Sequence, residues 1–412
     1  MKFHRTTLEN GLEIIAEENE SALSTSLGFF VKTGSRDETD DLSGVSHFLE
    51  HMVFKGTSRR DAERVNIELD ELGGVSNAYT SEETTAFYVK VLPELQERAV
   101  DLLADIMRPA LRQADFDSEK KVIVEEIKMY EDKPPFGIDE KCREYFWSGH
   151  PLARSVAGTI ESVEGITRDG MLGYFERRYS PSNILFAACG QLDFDRLLNW
   201  VSSACGSWRA YDAPRVLSPV KGARSSHAIQ RDGSSLEYVL QLVDSPTQCE
   251  YDRIASSLLA TILGDEVGSR LFWELVDTGA AESADIFPCR YLDAGFMATS
   301  LVCKPEDVGS NLATIRQLLA DAASGGVTEE ELARAKNKWL TSIALAGERP
   351  LSRLFSIASY WLATKEYHTV GETLDLVRRT TLDEVNESQK KYPFTNPFTI
   401  AIGELSELPT FE

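Results

Sequence analysis

The sequence predicts an α+β protein made of two similar α/β halves, each an antiparallel-rich mixed sheet packed with helices. Three observations carry this reading. A chain of 412 residues is long for one hydrophobic core. Segments with the two-residue apolar period of strands alternate with segments of helical period. After an irregular stretch near the middle, the same plan of sheet and helices starts again.

The first half begins with strand Lys2–Leu8, an Asn10-Gly11 turn, and strand Leu12–Ala16. Ser26–Lys32 is a third strand, ended by Gly34. From Ser43 to about Lys55 the period becomes helical, and Gly56 stops it; Ala62–Leu72 is a second helix, closed by Gly73-Gly74. Thr84–Leu92 alternates and is rich in β-formers, so it is a strand. Leu95–Met107 and Asp117–Glu131 are amphipathic helices, the second ended by Pro134-Pro135. Asn183–Cys189 is a short apolar strand before Gly190.

Residues 210–226 hold Pro214, Pro219 and Gly222 with few large apolar side chains, and read as a linker between domains 1–209 and 227–412. Beyond it come strand Tyr238–Asp244, a helix from about Glu250 to Leu263, and a helix from Ser269. Strand Phe296–Cys303, helices Gly309–Ala323 and Thr328–Ala346, and strand Thr399–Ile402 before Gly403 complete the chain.

Composition narrows the function. Sixty-six acidic against 43 basic residues leave a net charge of −23, the wrong sign for binding nucleic acid. Such a field favours cationic partners, basic peptides among them; it also keeps a cytoplasmic protein soluble. Cys142, Cys189, Cys205, Cys249, Cys289 and Cys303 are scattered with no C-x-x-C pair, as expected of reduced, mostly buried thiols. The N-terminus lacks the apolar run of a signal peptide, and no stretch reaches the roughly 18 apolar residues of a membrane span. The expectation is a soluble cytoplasmic protein without membrane contact.

The chemistry concentrates in Gly44-Val45-Ser46-His47-Phe48-Leu49-Glu50-His51-Met52-Val53-Phe54-Lys55-Gly56. On a helix His47 and His51 stand one turn apart on one face, so two imidazoles can share a zinc ion at about 2.0–2.1 Å each. Glu50 lies beside that face, able to hold a water on the metal without being a ligand. Val45, Phe48, Leu49 and Met52 supply the apolar back of the helix. His-x-x-Glu-His is the inverzincin signature; its ordinary alternative is a surface helix with two solvated histidines. A catalytic zinc needs a third protein ligand and one open position. Within the later acidic helix Glu119 and Glu126, two turns apart, share a face, while Glu125 points about 100° away from Glu126. Acidic residues on a helix are usually just solvated, so spacing leaves the choice open.

The motif together with the acidic helix resembles the pitrilysin or insulinase family of zinc peptidases, closest to its short-chain branch, which includes the mitochondrial processing peptidase β subunit and bacterial relatives. Gly44–Thr57 is similar to the family's zinc helix, and Gly73-Gly74-Val75-Ser76-Asn77-Ala78-Tyr79-Thr80 to its glycine turn and edge strand. Glu119–Glu126 is similar to its Glu-x6-Glu helix. Gly149-His150-Pro151-Leu152, Arg178-Tyr179-Ser180-Pro181-Ser182-Asn183 and Gly268-Ser269-Arg270-Leu271-Phe272 resemble further landmarks, so the likeness spans nearly the whole chain.

The resemblance implies one zinc per chain on His47, His51 and Glu126, Glu50 as catalytic base, and Glu119 as hydrogen-bonded supporter of the ligands. It implies that Asn77, Ala78, Tyr79 and Thr80 hold substrate backbone by strand addition. It implies two homologous halves facing each other as a clamshell, the first with the metal site and the second without. The activity would be that of an endopeptidase enclosing peptides or unfolded segments, paired with itself or with a homologous subunit lacking zinc ligands. Two imidazoles favour zinc over calcium or magnesium, with manganese or cobalt as substitutes in vitro. One feature departs from the family. Many members place an Arg and a Tyr on the substrate carbonyl from the second half, where this chain has Val276 and Glu282. Arg270 is a candidate stand-in, with a structural salt bridge as its alternative. The departure also suits a non-catalytic relative, an assembly subunit or a peptide-binding protein.

Overall fold

The computed structural model describes residues 1–132 and 137–409; the Pro134-Pro135 stop lies outside them. In chain order the strands are β1 (Lys2–Thr7), β2 (Glu13–Glu18), β3 (Thr25–Val31), β4 (Val75–Thr80), β5 (Thr85–Val91), β6 (Ile184–Gly190), β7 (Ser226–Gln230), β8 (Glu237–Asp244), β9 (Ser283–Arg290), β10 (Gly295–Cys303) and β11 (Phe398–Gly403). The helices of the first part are α1 (Val45–Val53), α2 (Ala62–Glu71), α3 (Gln96–Ile106), α4 (Gln113–Asp132), α5 (Ile138–Phe146), α6 (Ile160–Gly165), α7 (Arg168–Arg178) and α8 (Phe194–Cys205). Those of the second are α9 (Arg253–Gly264), α10 (Val308–Gly325), α11 (Glu329–Gly347), α12 (Pro350–Thr364), α13 (Val370–Arg379) and α14 (Leu382–Lys391). Among the described residues no helix is long and apolar enough to cross a membrane.

Two compact units form, and neither is contiguous in sequence. One comprises Met1–Met129, Arg154–Val216 and Leu345–Thr369; the other Tyr130–Ala153, Leu217–Ala344 and Val370–Glu412. The division between Val216 and Leu217 falls inside the stretch read as a linker. The compact units also cross the order of the chain: the segment carrying α5 folds with the second unit and the segment carrying α12 with the first.

The sheet of the first unit runs β1-β2-β6-β3-β5-β4, and that of the second β7-β11-β8-β10-β9. In each a single pair is parallel, β2 with β6 and β11 with β7. Strand for strand, β7-β11-β8-β10-β9 repeats β2-β6-β3-β5-β4, parallel pair included, so the second half reproduces the topology of the first. Both are antiparallel-rich mixed sheets packed with helices. Several elements were not foreseen: β7 and β9, which lie at sheet edges, the helices α5 to α8 and α12 to α14. The helix expected from Ser269 shrinks to one turn, Phe272–Val276.

Central strands that are buried at every residue must be covered on both faces. On β6, Ile184, Phe186 and Ala188 join the core shared with α1, α3 and α4. Leu185, Ala187 and Cys189 point the other way, onto Leu354, Ile357, Ala358 and Trp361 of α12. The second unit uses the same device: Ile138, Cys142 and Phe146 of α5 cover Leu240, Leu242, Phe398 and Ile400.

Under α12 lies a buried ion pair. Glu17 on β2 is fully buried and accepts from Arg353 Nε at 2.9 Å, from Arg353 Nη2, and from the Tyr367 hydroxyl at 2.6 Å. Burial by itself would raise the Glu17 pKa, but the hydrogen bonds from Arg353 and Tyr367 outweigh it and hold the carboxyl below its ordinary range. The unfolded chain therefore binds this proton at higher pH than the folded one does. The resulting stabilisation is present at neutral pH and is lost as pH falls through the depressed folded value. Arg353→Met, which strands the carboxylate, is expected to cost about 3–5 kcal/mol in urea unfolding at neutral pH. The double variant Glu17→Leu/Arg353→Met recovers most of that loss. An Arg353→Met protein as stable as wild type would show that the pair is not buried in solution.

Candidate metal centre

The site is assembled in the first unit from α1 and α4, with β4 beside α1. The start of α1 is held by Glu38, whose two carboxylate oxygens accept the backbone N–H groups of Gly44 and Ser46 at 2.7 Å each. This satisfies two of the amides that a helix start leaves without partners. Burial lifts the Glu38 carboxyl to about 8, against those hydrogen bonds. Gly44 has φ +91°, and a Cβ there would lie 2.5 Å from the Ala157 carbonyl oxygen, so glycine is required. Ser46 shares a hydrogen bond with the buried Tyr174 hydroxyl at 2.9 Å.

Val45, Phe48, Leu49, Met52 and Val53 put the apolar side of α1 in the core, which leaves His47, Glu50 and His51 on the other side. On α4, Phe116, Ile123 and Ile127 are buried on the face that also carries Glu119 and Glu126. The rings of Phe48 and Phe116 stack at 4.7 Å and 18°, locking α1 against α4. Lys120, in the first half of α4, donates to the carbonyls of Glu164 and Ile166 at 2.9 and 2.6 Å, which ties that helix to the end of α6.

This packing brings His47, His51 and Glu126 together, one donor atom from each lying within 4.8 Å of the others. Glu126 Oε2 is 3.9 Å from His47 Nε2 and 3.6 Å from His51 Nε2. A tetrahedral ion with bonds of about 2.0–2.1 Å holds its donors about 3.3 Å apart, so Glu126 needs to approach each imidazole by about 0.6 Å or less, and no pair of donors by more than about 1.5 Å. Two imidazoles and one carboxylate form a suitable donor set for zinc with one position left over. Among the described residues no other trio of His, Cys, Asp or Glu converges in this way.

The surroundings set the charge of each group. Burial, aided by the nearby His51 and opposed by Glu126, pushes His47 down to about 4, so its ring is neutral at neutral pH, as ligation requires. Burial would lower His51 as well, but a hydrogen bond to Glu119 and the charges of Glu126 and Glu50 hold it above its ordinary value. That is the signature of excess negative charge, which a divalent cation would neutralise. His51 Nδ1 donates to Glu119 Oε1 at 2.9 Å, which turns Nε2 towards Glu126. Burial would raise Glu119, but His51 and Lys55 outweigh it and keep the carboxylate ionised. Glu50 is raised by burial against the hydrogen bond it accepts from Thr80 Oγ1 at 2.6 Å.

Asn77, Ala78, Tyr79 and Thr80 lie on β4, an edge of the sheet that pairs only with β5. Arg270 belongs to the second unit and is engaged there: Nε and Nη2 donate to Glu331 at 2.7 and 2.9 Å, and Nη2 also to the Gly326 carbonyl. Val276 is partly buried against that unit's core, and Glu282 is exposed. Three contributors escaped the sequence reading. Lys55 stands four residues after His51, a helical spacing that placed it within reach of Glu119. Neither Glu38 nor the Thr80 hydroxyl carries any local signal for its partner.

The pattern described as Insulinase (Peptidase family M16) matches residues 13–160, and that described as Peptidase M16 inactive domain matches residues 165–338. An uncharacterized zinc protease of Mycobacterium leprae is 33% identical over 93% of this chain and 87% of its own length. The mitochondrial-processing peptidase subunit beta of Bos taurus is 27% identical over 98% of this chain and 85% of its own. A protease from Helicobacter pylori has the same fold, with a TM-score of 0.91 at 21% identity, covering 98% of this chain and 99% of that one.

Replacing Glu119 by Gln removes the anionic acceptor on His51 without emptying the space. Zinc affinity, measured by competition with a chromophoric chelator, is expected to fall about 10- to 100-fold. An unchanged affinity would mean that the Glu119–His51 contact does not orient the imidazole.

Proposed function

Since this chain belongs to peptidase family M16, the insulinase family, we propose that it is a zinc-dependent endopeptidase acting on peptides or unfolded segments. The observation that carries the proposal is the convergence of His47, His51 and Glu126 with Glu50 at their side. His47, His51 and Glu126 would hold the zinc, and Glu119 would keep His51 aimed. When bound, zinc supplies a Lewis acid that polarises a carbonyl and acidifies water.

The remaining work falls to the chain's own side chains. Glu50 takes the proton of the attacking water and returns it to the leaving amine as the amide C–N bond breaks. Burial raises the proton affinity of Glu50 above that of an ordinary glutamate, which strengthens it as a base. The unpaired side of β4 offers main-chain groups to an extended peptide, a grip largely indifferent to side-chain sequence. Enclosure of the substrate and pairing with a second copy or a homologous subunit without zinc ligands complete the proposal and rest on the resemblance, while a cytoplasmic location rests on the scattered cysteines. Val276 and Glu282, in place of the usual Arg and Tyr, favour a second reading as a non-catalytic assembly or peptide-binding subunit. The intact donor set speaks against it.

Glu50→Gln is expected to keep its zinc and lose at least about 100-fold in peptide cleavage. Robust turnover by that variant would refute the base assignment. His47→Ala and His51→Ala are each expected to lose metal and activity together, with an unfolding free energy close to that of wild type stripped of metal. Metal analysis of protein purified without added zinc, and cleavage of a peptide library with and without chelator, decide between enzyme and scaffold.

A further inference from the structure

We propose that the Thr80 hydroxyl is the positioning residue for Glu50, tying the base to the strand on which an extended peptide would lie. The inference rests on the peptidase reading and assigns the Thr80 side chain a part in it distinct from the backbone grip.

Three features of the first unit support it. Thr80 Oγ1 donates to Glu50 Oε2 at 2.6 Å, a short, charge-assisted bond. Among the described residues no other group hydrogen-bonds the Glu50 side chain. A glutamate has three rotatable side-chain bonds, and only some of its staggered combinations leave the carboxylate on the side of the histidines. One strong partner on a neighbouring strand selects among them.

The second feature is where that partner sits. β4 is the edge of its sheet, in register Thr80↔Thr85, Ala78↔Phe87 and Ser76↔Val89 with β5. The Ser81 amide donates to the Thr84 carbonyl at 2.9 Å across the turn. Hydrogen-bonded and non-hydrogen-bonded pairs alternate in an antiparallel ladder. The pair Thr80↔Thr85 is therefore of the second kind, and Thr80, Ala78 and Ser76 turn their main-chain groups to the free edge. Consistent with this, the Ala78 amide bonds the Asn77 Oδ1 atom instead of β5.

The third feature is the face. Ala78 packs on the core shared with α1, and Thr80, two residues on, reaches the same face. Tyr79, between them, packs on the opposite side near Phe355 of α12. Thr80 thus presents its backbone to an added strand and its hydroxyl to the base. A peptide aligned on β4 is aligned by the same residue that holds the proton acceptor. The buried alternative, in which Thr80 merely satisfies a polar group, predicts no effect on the chemical step.

The test compares zinc-loaded wild type, Thr80→Val and Thr80→Ser on a cleaved peptide. Valine keeps the shape and β-branching of threonine and removes the donor; serine keeps the donor. Expected for Thr80→Val is a kcat at least about 10-fold lower with KM within about 2-fold of wild type, the pattern of a misplaced catalytic group. Thr80→Ser is expected to return kcat to within about 3-fold of wild type, as a retained donor demands. Zinc content, and the Kd of a fluorescein-labelled peptide for chelator-treated protein by anisotropy, are expected to be the same in all three. A Thr80→Val enzyme with wild-type kcat overturns the proposal, as does equal loss in both variants or a loss traced to zinc or to peptide binding. A wild-type protein that carries its zinc and cuts no peptide overturns the peptidase reading, and this inference with it.

Discussion

The site depends on how α4 lies against α1. Any helix bearing His47 and His51 sets two imidazoles one turn apart, but the third donor comes from a second helix, and its position depends on packing. The stacked Phe48 and Phe116 rings, with Ile123 and Ile127 behind them, settle the register. A slip of one turn along α4, about 5.4 Å, would withdraw Glu126 from both histidines. In the observed register α4 presents two glutamates to one imidazole: Glu126 faces Nε2 of His51, and Glu119, two turns earlier, bonds Nδ1. The ring bridges the two turns, so one packing arrangement places both the candidate donor and the carboxylate that holds the imidazole.

Around this junction, charge is distributed unevenly and to a purpose. Glu50, Glu119 and Glu126 surround two histidines, one neutral through burial and one drawn towards protonation by its carboxylate neighbours. Lys55 offsets Glu119 and keeps it ionised as an acceptor. Thr80 holds Glu50 with a neutral donor, and burial still leaves that carboxyl above its ordinary range against the Thr80 hydrogen bond and the His51 charge. Crowding three carboxylates, one buried and two half-buried, into so small a space carries a cost that a shared cation would offset. The same arrangement that opposes a metal-free state therefore favours a metal-bound one.

The interleaving of the two units has its own physical origin. Strands such as β6 are apolar on both faces, and the helices following them in their own half cover one face only. The second face of each sheet is closed by a helix from the other half of the sequence, α12 for the first unit and α5 for the second. In the first unit this closure also buries Arg353 against Glu17, a pairing between residues at opposite ends of the chain. The packing on the α1 side and that on the α12 side thus share β3, β5 and β6 as one wall, and β4, which carries Thr80, is the free margin of that wall.

Local sequence determined a great deal here. The period of 43–55 was enough to place His47, Glu50 and His51 together, because helix geometry converts a spacing of three or four residues into a shared face. The alternation in β5 was legible for the same reason. Spacing showed that Glu119 and Glu126 share a face but left the third donor open, and only the family resemblance pointed to Glu126. Tertiary structure decided the rest: the register of α4 on α1, the Glu38 carboxylate on the start of α1, the Thr80 hydroxyl on Glu50, and the exchange of α5 and α12. Each of these joins residues whose neighbours in sequence carry no periodic trace of the partner. Short-range pattern records which face a side chain takes; what meets that face across a core depends on the packing of the whole unit.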